Sequence, residues 1–387
     1  MKESSNDLKN FCSLKETIIR VSRFEREKLK NPEFSTSLPE ELRIQLTTQC
    51  NLRCKHCFQW NNGGYYKMEM NRDYDKYELS FKILEKLLKQ TYMPKISIYL
   101  WGGEPLIYSY WDSMIELLKN DDRKKVISTN GIHVNRKIDT LNKISENLEV
   151  VFSLDGLKNE HEYLRGKHTF NKLIDNIHLL VREKKEERYK GQITINCSIN
   201  NELIPKLSHF VNFCNTLHIN KLILGFPWYI NSQTCLEMDE YYMKNFSWLN
   251  GKTKFKSWHC FNYHIDESLY PILENEVRKI ISQHYNFILR FHPSINNDLQ
   301  LILRGDVFKN TKKANCLAPS CRMAVWANAN VSFCGDFPEF CIDSLENSDL
   351  ETIWKGERFN KVRKIFNSNP KPSSLCQRCR FISNNLT

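Results

Sequence analysis

Thr48-Gln49-Cys50-Asn51-Leu52-Arg53-Cys54-Lys55-His56-Cys57-Phe58 follows directly on a short apolar run at 42–47. Its cysteines have the spacing Cys-x3-Cys-x2-Cys. Thiolates this close in sequence converge when the chain turns tightly at a strand end, as an iron–sulfur cluster requires. A four-iron cluster held by three cysteines keeps one iron open to a small molecule. A zinc loop is the competing reading. Structural zinc sites carry a second Cys-x2-Cys or His pair nearby, and none follows here before Cys316.

Outward from this loop, short apolar runs alternate with longer amphipathic ones. The short runs at 42–47, 96–101, 126–129, 150–154, 193–199 and 222–226 are rich in β-branched residues and bounded by turn residues, the pattern of buried parallel strands. Between them, 77–90 sets Phe81, Leu84, Leu87 and Leu88 at helical spacing, and 111–119, 138–147, 170–183 and 203–214 behave alike. Strand–helix repeats at these intervals predict an α/β fold with right-handed crossovers. Six units make an open, partial (β/α)6 barrel whose functional face lies at the strand C-terminal ends.

The pattern divides the chain into four parts. Residues 1–37 form a polar extension with a helix over 14–28 and a boundary signal at 35–39. Residues 38–228 form the core barrel. Residues 229–310 are a connecting region, rich in Trp, Tyr, Phe and Asn, with one helix at 269–283. Residues 311–387 form a small, cysteine-rich and turn-rich unit.

The composition narrows the function classes. No apolar run approaches the roughly 20 residues of a membrane span, and the start MKESSNDLKNF has no apolar signal region. No membrane partner is expected, and the expected location is the cytoplasm. There, fourteen cysteines read as metal ligands or catalytic groups more readily than as disulfides. The scattered Cys12, Cys197, Cys214, Cys235 and Cys260 read by default as buried small residues. The net charge of +11 suits an anionic partner. The basic residues are interspersed, however: Lys184 and Lys185 stand among Glu183, Glu186 and Glu187. That reads as a solvated helix face, so nucleic acid is not the expected partner.

Cys50, Cys54 and Cys57 match the signature of the radical SAM superfamily, which the chain resembles over roughly residues 40–228. The resemblance implies that the open iron is chelated by the amino and carboxylate groups of S-adenosylmethionine (SAM). One electron from the 4Fe-4S cluster then cleaves a C–S bond, and the resulting 5′-deoxyadenosyl radical takes a hydrogen atom from substrate. The family usually has an aromatic residue where His56 stands. Gly102-Gly103-Glu104-Pro105 resembles the motif that binds the methionine amino group. Two glycines permit close backbone approach, and a carboxylate or carbonyl meets an ammonium. Ser128-Thr129-Asn130-Gly131 ends the third predicted strand, with Asn130 read as cofactor-binding. Ser153-Leu154-Asp155-Gly156 is similar to the family segment whose serine lies near the cofactor, and Asp155 is taken with it. Arg165 resembles the arginine that pairs with the SAM carboxylate, which bidentate guanidinium pairing explains.

The later cysteines run Cys316-x4-Cys321-x12-Cys334-x6-Cys341, then Cys376-x2-Cys379, with a helical stretch at 349–366 between. They resemble the SPASM/twitch auxiliary-cluster region of radical SAM enzymes. The implied ligands of a second 4Fe-4S cluster are Cys321, Cys334, Cys376 and Cys379. Cys316 either replaces Cys321 or joins the set, and Cys341 is a weaker contender. A zinc knuckle built from the same cysteines is the bland alternative. A full SPASM region continues with further cysteines, and none follows Cys379, so one auxiliary cluster is expected rather than two.

The resemblance implies an enzyme that modifies a ribosomal peptide or protein, served by an external electron donor such as flavodoxin or ferredoxin. The alternative is a twitch-type dehydrogenase of a small sugar or cyclitol alcohol. A non-catalytic metal-binding module is a third reading, but it has no need of a SAM site. The stretch 226–229, Phe-Pro-Trp-Tyr, is expected at the cavity mouth. In Ser257-Trp258-His259-Cys260, either His259 or Cys260 is a candidate proton or hydrogen-atom donor. Residues 1–37 are shorter than the leader-binding module of many peptide maturases, which counts against a peptide bound in that manner.

Overall fold

The computed structural model describes residues 5–68, 77–249, 255–295, 299–305, 316–368 and 373–379. The domain boundary expected at 310–311 and the side chain of Cys12 lie outside what is described.

The six predicted strands are present: β1 (Glu41–Gln45), β2 (Ser97–Trp101), β3 (Lys125–Thr129), β4 (Leu148–Ser153), β5 (Gln192–Ser198) and β6 (Lys221–Gly225). Each pairs in parallel with the next. The sheet does not stop at six. β7 (Ile288–His292) pairs in parallel with β6, and β8 (Arg322–Val325) pairs in parallel with β1. The short antiparallel strands β9 (Asn330–Ser332) and β10 (Cys341–Ser344) complete one ten-stranded sheet, ordered β10-β9-β8-β1-β2-β3-β4-β5-β6-β7.

Strand parity sorts the side chains. Leu42 and Ile44, Ile98 and Leu100, Ile127, Val150 and Phe152, Ile193 and Ile195, and Leu222 and Leu224 are all essentially buried. They pack beneath the crossover helices. Burying each such side chain contributes about 1.5–3 kcal/mol. The helix Phe81–Tyr92 illustrates the match: Leu84, Leu87, Leu88 and Thr91 face the sheet, and the Ser80 hydroxyl caps it by accepting from the Ile83 amide. The alternate positions (Arg43, Tyr99, Trp101, Ser128, Ser153, Asn196 and Ser198) point the other way and line an internal cavity.

The N-terminal helix spans Ser5–Lys30, longer than the predicted 14–28. Its Phe24 is buried against Leu317 and Cys321. The chain after it is stitched to the C-terminal region: the Thr36 and Glu40 amides donate to the Ser320 and Cys321 carbonyls, and the Trp354 indole donates to the Thr36 carbonyl. The region 229–310 is tied down as well. The buried Glu339 carboxylate accepts from the Ser257 amide and hydroxyl, and the Tyr242 hydroxyl donates to the Glu339 carbonyl.

Candidate active site and auxiliary cysteine chamber

The cysteine loop is the turn that follows β1. Its amides fold back on its own atoms: Leu52 donates to the Cys50 thiol, and Cys57 donates to the Cys54 carbonyl. The Trp60 indole closes the loop on the Thr48 carbonyl. Cys50, Cys54 and Cys57 all border one cavity of about 330 Å³. Burial pushes the Cys50 thiol up to about 12 and the Cys54 thiol up to about 11. Bare thiolates are therefore disfavoured here, and a bound cationic centre supplies the missing compensation.

Gly102 and Gly103 lie on the wall of the same cavity, against the backbone of the cysteine loop. The Gly103 and Glu104 amides donate to the Thr47 and Gln49 carbonyls. A Cβ on Gly103 would stand 2.0 Å from the Gln49 carbonyl oxygen, and one on Gly102 would stand 2.4 Å from the Thr47 carbonyl oxygen. Gly103→Ala is therefore expected to force the two loops apart. Its cluster absorbance after anaerobic reconstitution should fall to background. Gly225→Ala, whose new Cβ makes only ordinary contacts at 3.5 Å and beyond, should reconstitute normally.

Glu104 does not turn toward the cavity. Its buried carboxylate accepts from the Thr129 hydroxyl (2.6 Å), the Asn130 amide (2.8 Å) and the Leu106 amide (3.1 Å). Burial pushes it up to about 7 against the pull of those donors. It positions the loop after β3. Pro105 is buried behind it. Asn130 does border the cavity, and its amide nitrogen donates to the Asn51 side chain at 2.8 Å, joining the loops after β1 and β3.

Ser153 and Arg165 border the cavity, and Asp155 lies fully buried behind them. Arg165 Nε donates to Asp155 Oδ2 at 2.5 Å, and its Nη1 lies 3.8 Å from the Cys54 thiol. Asp155 Oδ1 accepts from the Ser198 amide, and His56 Nε2 stands 3.4 Å from Oδ2. Burial opposes charge on Asp155, but Arg165, His56 and His161 outweigh it and hold the carboxyl below its ordinary range. The guanidinium is thus fixed by one carboxylate and faces the cavity for another.

Phe226, Pro227 and Trp228 reach the cavity wall, whereas the Tyr229 ring packs against His264. Cys260 and His259 do not border the cavity. Cys260 is buried with Trp60, Tyr65 and Tyr66 behind the cysteine loop, and His259 pairs with Asp239 at 3.0 Å. Sequence reasoning passed over Arg43, Tyr99, Asn196, Ser198, Tyr263 and Asp336, which all border the cavity. The first four were detectable as polar or aromatic residues at the alternate positions of apolar strands.

A second, smaller chamber of about 60 Å³ holds Cys316, Cys334, Cys376 and Cys379 among Met323, Phe333, Phe337, Phe340, Phe366 and Leu375. Cys321, expected among the ligands, is outside it. Its thiol donates to the Leu317 carbonyl at 3.2 Å and packs on Phe24. The Cys341 thiol is likewise outside, directed at the Asp343 carbonyl. Burial pushes the Cys376 thiol up to about 12 and the Cys316 and Cys334 thiols upward. Among the described residues no three His, Cys, Asp or Glu side chains converge on a single ion. Arg43, Trp228 and Gly335 border both the chamber and the main cavity.

Residues 44–211 match the family model of the radical SAM superfamily, and residues 316–380 match that of the SPASM iron–sulfur cluster-binding domain. The chain belongs to the radical SAM superfamily. It is an enzyme rather than a metal-binding module, and its cofactors are a 4Fe-4S cluster, SAM and auxiliary iron–sulfur. The residues present fit that set: three thiols on one cavity, a glycine wall, a guanidinium fixed by a buried aspartate, and a separate four-thiol chamber.

The radical SAM enzyme is similar to a cysteine-type anaerobic sulfatase-maturating enzyme of Clostridium novyi (strain NT), with 29% identity over 36% of this chain and 40% of that protein. It is also similar to the sporulation killing factor maturation protein SkfB of Bacillus subtilis (strain 168), with 25% identity over 46% and 40%. These matches span less than half of either relative. In fold it resembles Streptococcus suis SuiB bound to the precursor peptide SuiA, with a TM-score of 0.58 and 18% identity over 89% of this chain and 71% of that one. Among the described residues no helix is long and apolar enough to cross a membrane.

Proposed function

We propose that this radical SAM enzyme takes a hydrogen atom from a residue of a ribosomally made peptide or protein and oxidises or crosslinks that residue. The observation that carries this is the wall shared by the two cysteine sites. Arg43, Trp228 and Gly335 border both, so a substrate in the main cavity lies between the SAM site and the auxiliary chamber. The names of the relatives point the same way: a sulfatase-maturating enzyme, a killing-factor maturation protein and a neighbour bound to its precursor peptide.

With its cluster and SAM bound, the site is supplied with a carbon radical able to abstract hydrogen. The protein does the rest. Arg165, fixed by Asp155, would receive the SAM carboxylate, and Gly102, Gly103, Asn130 and Ser153, which border the same cavity, would help hold the rest of the cofactor. Phe58, Phe226, Trp228, Phe261 and Tyr263 line the cavity with aromatic surface and exclude water from the reacting atoms. Cys316, Cys334, Cys376 and Cys379 would hold the auxiliary cluster, which would supply an acceptor for the electron that the substrate radical gives up once its hydrogen atom has gone to the 5′-deoxyadenosyl radical. A flavodoxin or ferredoxin would supply the separate electron that cleaves SAM.

Transfer of deuterium into 5′-deoxyadenosine is the test. The reconstituted enzyme is given SAM, dithionite and either deuterated short peptides encoded beside its gene or deuterated sugar and cyclitol alcohols. Label arriving from a peptide supports the reading. Label arriving from an alcohol and from no peptide overturns it in favour of a small-molecule dehydrogenase.

A further inference from the structure

The outer side of the cysteine loop is ringed by exposed cations. Arg53 and Lys55 flank Cys54 in the chain, and both are exposed while the buried Cys54 borders the main cavity. The Arg53 guanidinium is held in place: it donates to the Cys50 carbonyl at 2.6 Å and lies 4.4 Å from the centre of the Trp60 ring. Lys55 Nζ stands 3.2 Å from the centre of the Tyr163 ring, and the Lys55 amide donates to the Leu164 carbonyl. These contacts dock the loop on the helix Lys158–Arg165. On its other side Asn51 meets the His133 ring at 3.2 Å, where the helix Val134–Lys143 begins. Arg136, in the first turn of that helix, is exposed. The Asn176 side chain donates to the Gly131 and Ile132 carbonyls, which brings the helix Thr169–Lys185 alongside. Lys172, one turn before Asn176, is exposed, as are Lys158 and Lys167 at the two ends of the helix between.

Among the described residues none of these six cations forms an ion pair, whereas Lys89, Lys119 and Lys279 on other helices are paired with Glu85, Glu116 and Glu276. The nearby acids do not cancel the patch. Glu160 is buried and paired with Lys206, and the Glu162 carboxylate accepts from the Phe170 amide. Asp139 and Asp175 lie about a turn further along their helices, away from the loop. A surface of one sign attracts a partner of the other and speeds its encounter. Tyr163, 52% exposed beside Lys55, and the fixed Arg53 are of the residue types that anchor protein interfaces. The loop that these groups surround carries the three thiols of the SAM site, where one electron must arrive from outside.

We propose that this face, from Arg136 and Lys172 across Arg53 and Lys55 to Lys167, is the docking surface for a small acidic one-electron carrier protein. The carrier is oxidised by one electron, and the cluster on Cys50, Cys54 and Cys57 is reduced by one. This deepens the reading above, in which an external flavodoxin or ferredoxin supplies that electron, and rests on it. The central Arg53, Lys55 and Tyr163 make the contact, and the outer cations steer the approach.

The test uses the full, anaerobically reconstituted chain and a fluorescently labelled flavodoxin or ferredoxin. It reads the Kd for the carrier by anisotropy, and the bleaching of cluster absorbance by the reduced carrier or by excess dithionite. Arg136→Glu combined with Lys172→Glu should raise the Kd and slow reduction by the carrier at least about tenfold at low ionic strength. Excess dithionite should still reduce the cluster fully. The difference from the parent should shrink with salt, which cuts the reach of these charges from about 10 Å at 0.1 M to about 3 Å at 1 M. Lys124→Glu combined with Lys185→Glu makes the same change in net charge with exposed residues at the opposite end of the barrel, and should leave the Kd unchanged. Parental binding in the first pair overturns the proposal, as does an equal loss in the second, which would mark net charge alone. If the first pair fails to hold a cluster, Arg136→Gln combined with Lys172→Gln is read in its place. Weaker binding of a labelled poly-glutamate peptide with carrier binding unchanged would assign the patch to an acidic substrate segment and also overturn the proposal. A parent chain reduced by dithionite but bound by neither carrier removes the external donor and this surface with it. A parent that binds a carrier and is indifferent to the substitutions keeps the donor and loses only the surface.

Discussion

Cys54→Ala abolishes SAM cleavage while leaving the chain folded. Cys54 is the most buried of the three loop thiols, and Arg165 approaches it at 3.8 Å. Three thiols already leave a four-iron cluster one ligand short, so two cannot retain it. Removing even an outer-shell partner of a metal ligand costs about 10–100-fold, and losing a ligand should cost more than that upper figure. The fold should survive because Cys54 belongs to a turn rather than to the strand core, where Leu42, Ile44, Ile98 and Leu100 do the packing. The measurements are 5′-deoxyadenosine formation under dithionite, iron content and circular dichroism. Cys197→Ala is the control. That thiol is fully buried in the main core, away from the cavity, and its loss should lower stability by about 1–2 kcal/mol while cleavage continues. Cleavage by Cys54→Ala at the parent rate would sink the assignment of the first site.

What was legible in the chain follows from how local each signal is. The cysteine loop, Gly102–Gly103 and the Ser153–Asp155 turn were readable because short spacings after apolar runs fix their places at strand ends. β1 to β6 were readable because one face of each is packed by helices. β7 was not: as an edge strand its residues are half-buried or exposed with no alternation, so nothing marks it off from the aromatic-rich connector around it. β8 hides in four residues between a short helix and a hairpin, and its partner β1 lies at the far end of the sequence. Two roles needed tertiary contacts to read. Glu104 follows two glycines on the cavity wall, but the hydroxyl and amides that claim its carboxylate come largely from the loop after β3. The choice between Cys316 and Cys321 depends on which way a single helical turn faces.

That turn gives the second large effect. Cys316→Ala should remove the auxiliary cluster, and Cys321→Ala should not. Cys316 faces Cys334, Cys376 and Cys379 across the chamber. The turn Ala318–Cys321 carries the second thiol to the opposite side, where it donates to Leu317 and packs on Phe24. Reconstituted parent protein should hold about eight iron atoms per chain and Cys316→Ala about four. Cys321→Ala should hold the parent amount and lose about 1 kcal/mol of stability, as small truncations in packed sites do. Cys376→Ala should behave as Cys316→Ala does, because its thiol shares that chamber. Both cluster-deficient variants keep Cys50, Cys54, Cys57 and Arg165 intact, so they should still cleave SAM in the absence of product. Cleavage lost in Cys316→Ala to the same degree as in Cys54→Ala, in folded protein, would mean that the second site serves the first and not the substrate. Loss of four iron atoms from Cys321→Ala instead would reverse the assignment, and with it the direction in which the turn at 318–321 faces once iron is present.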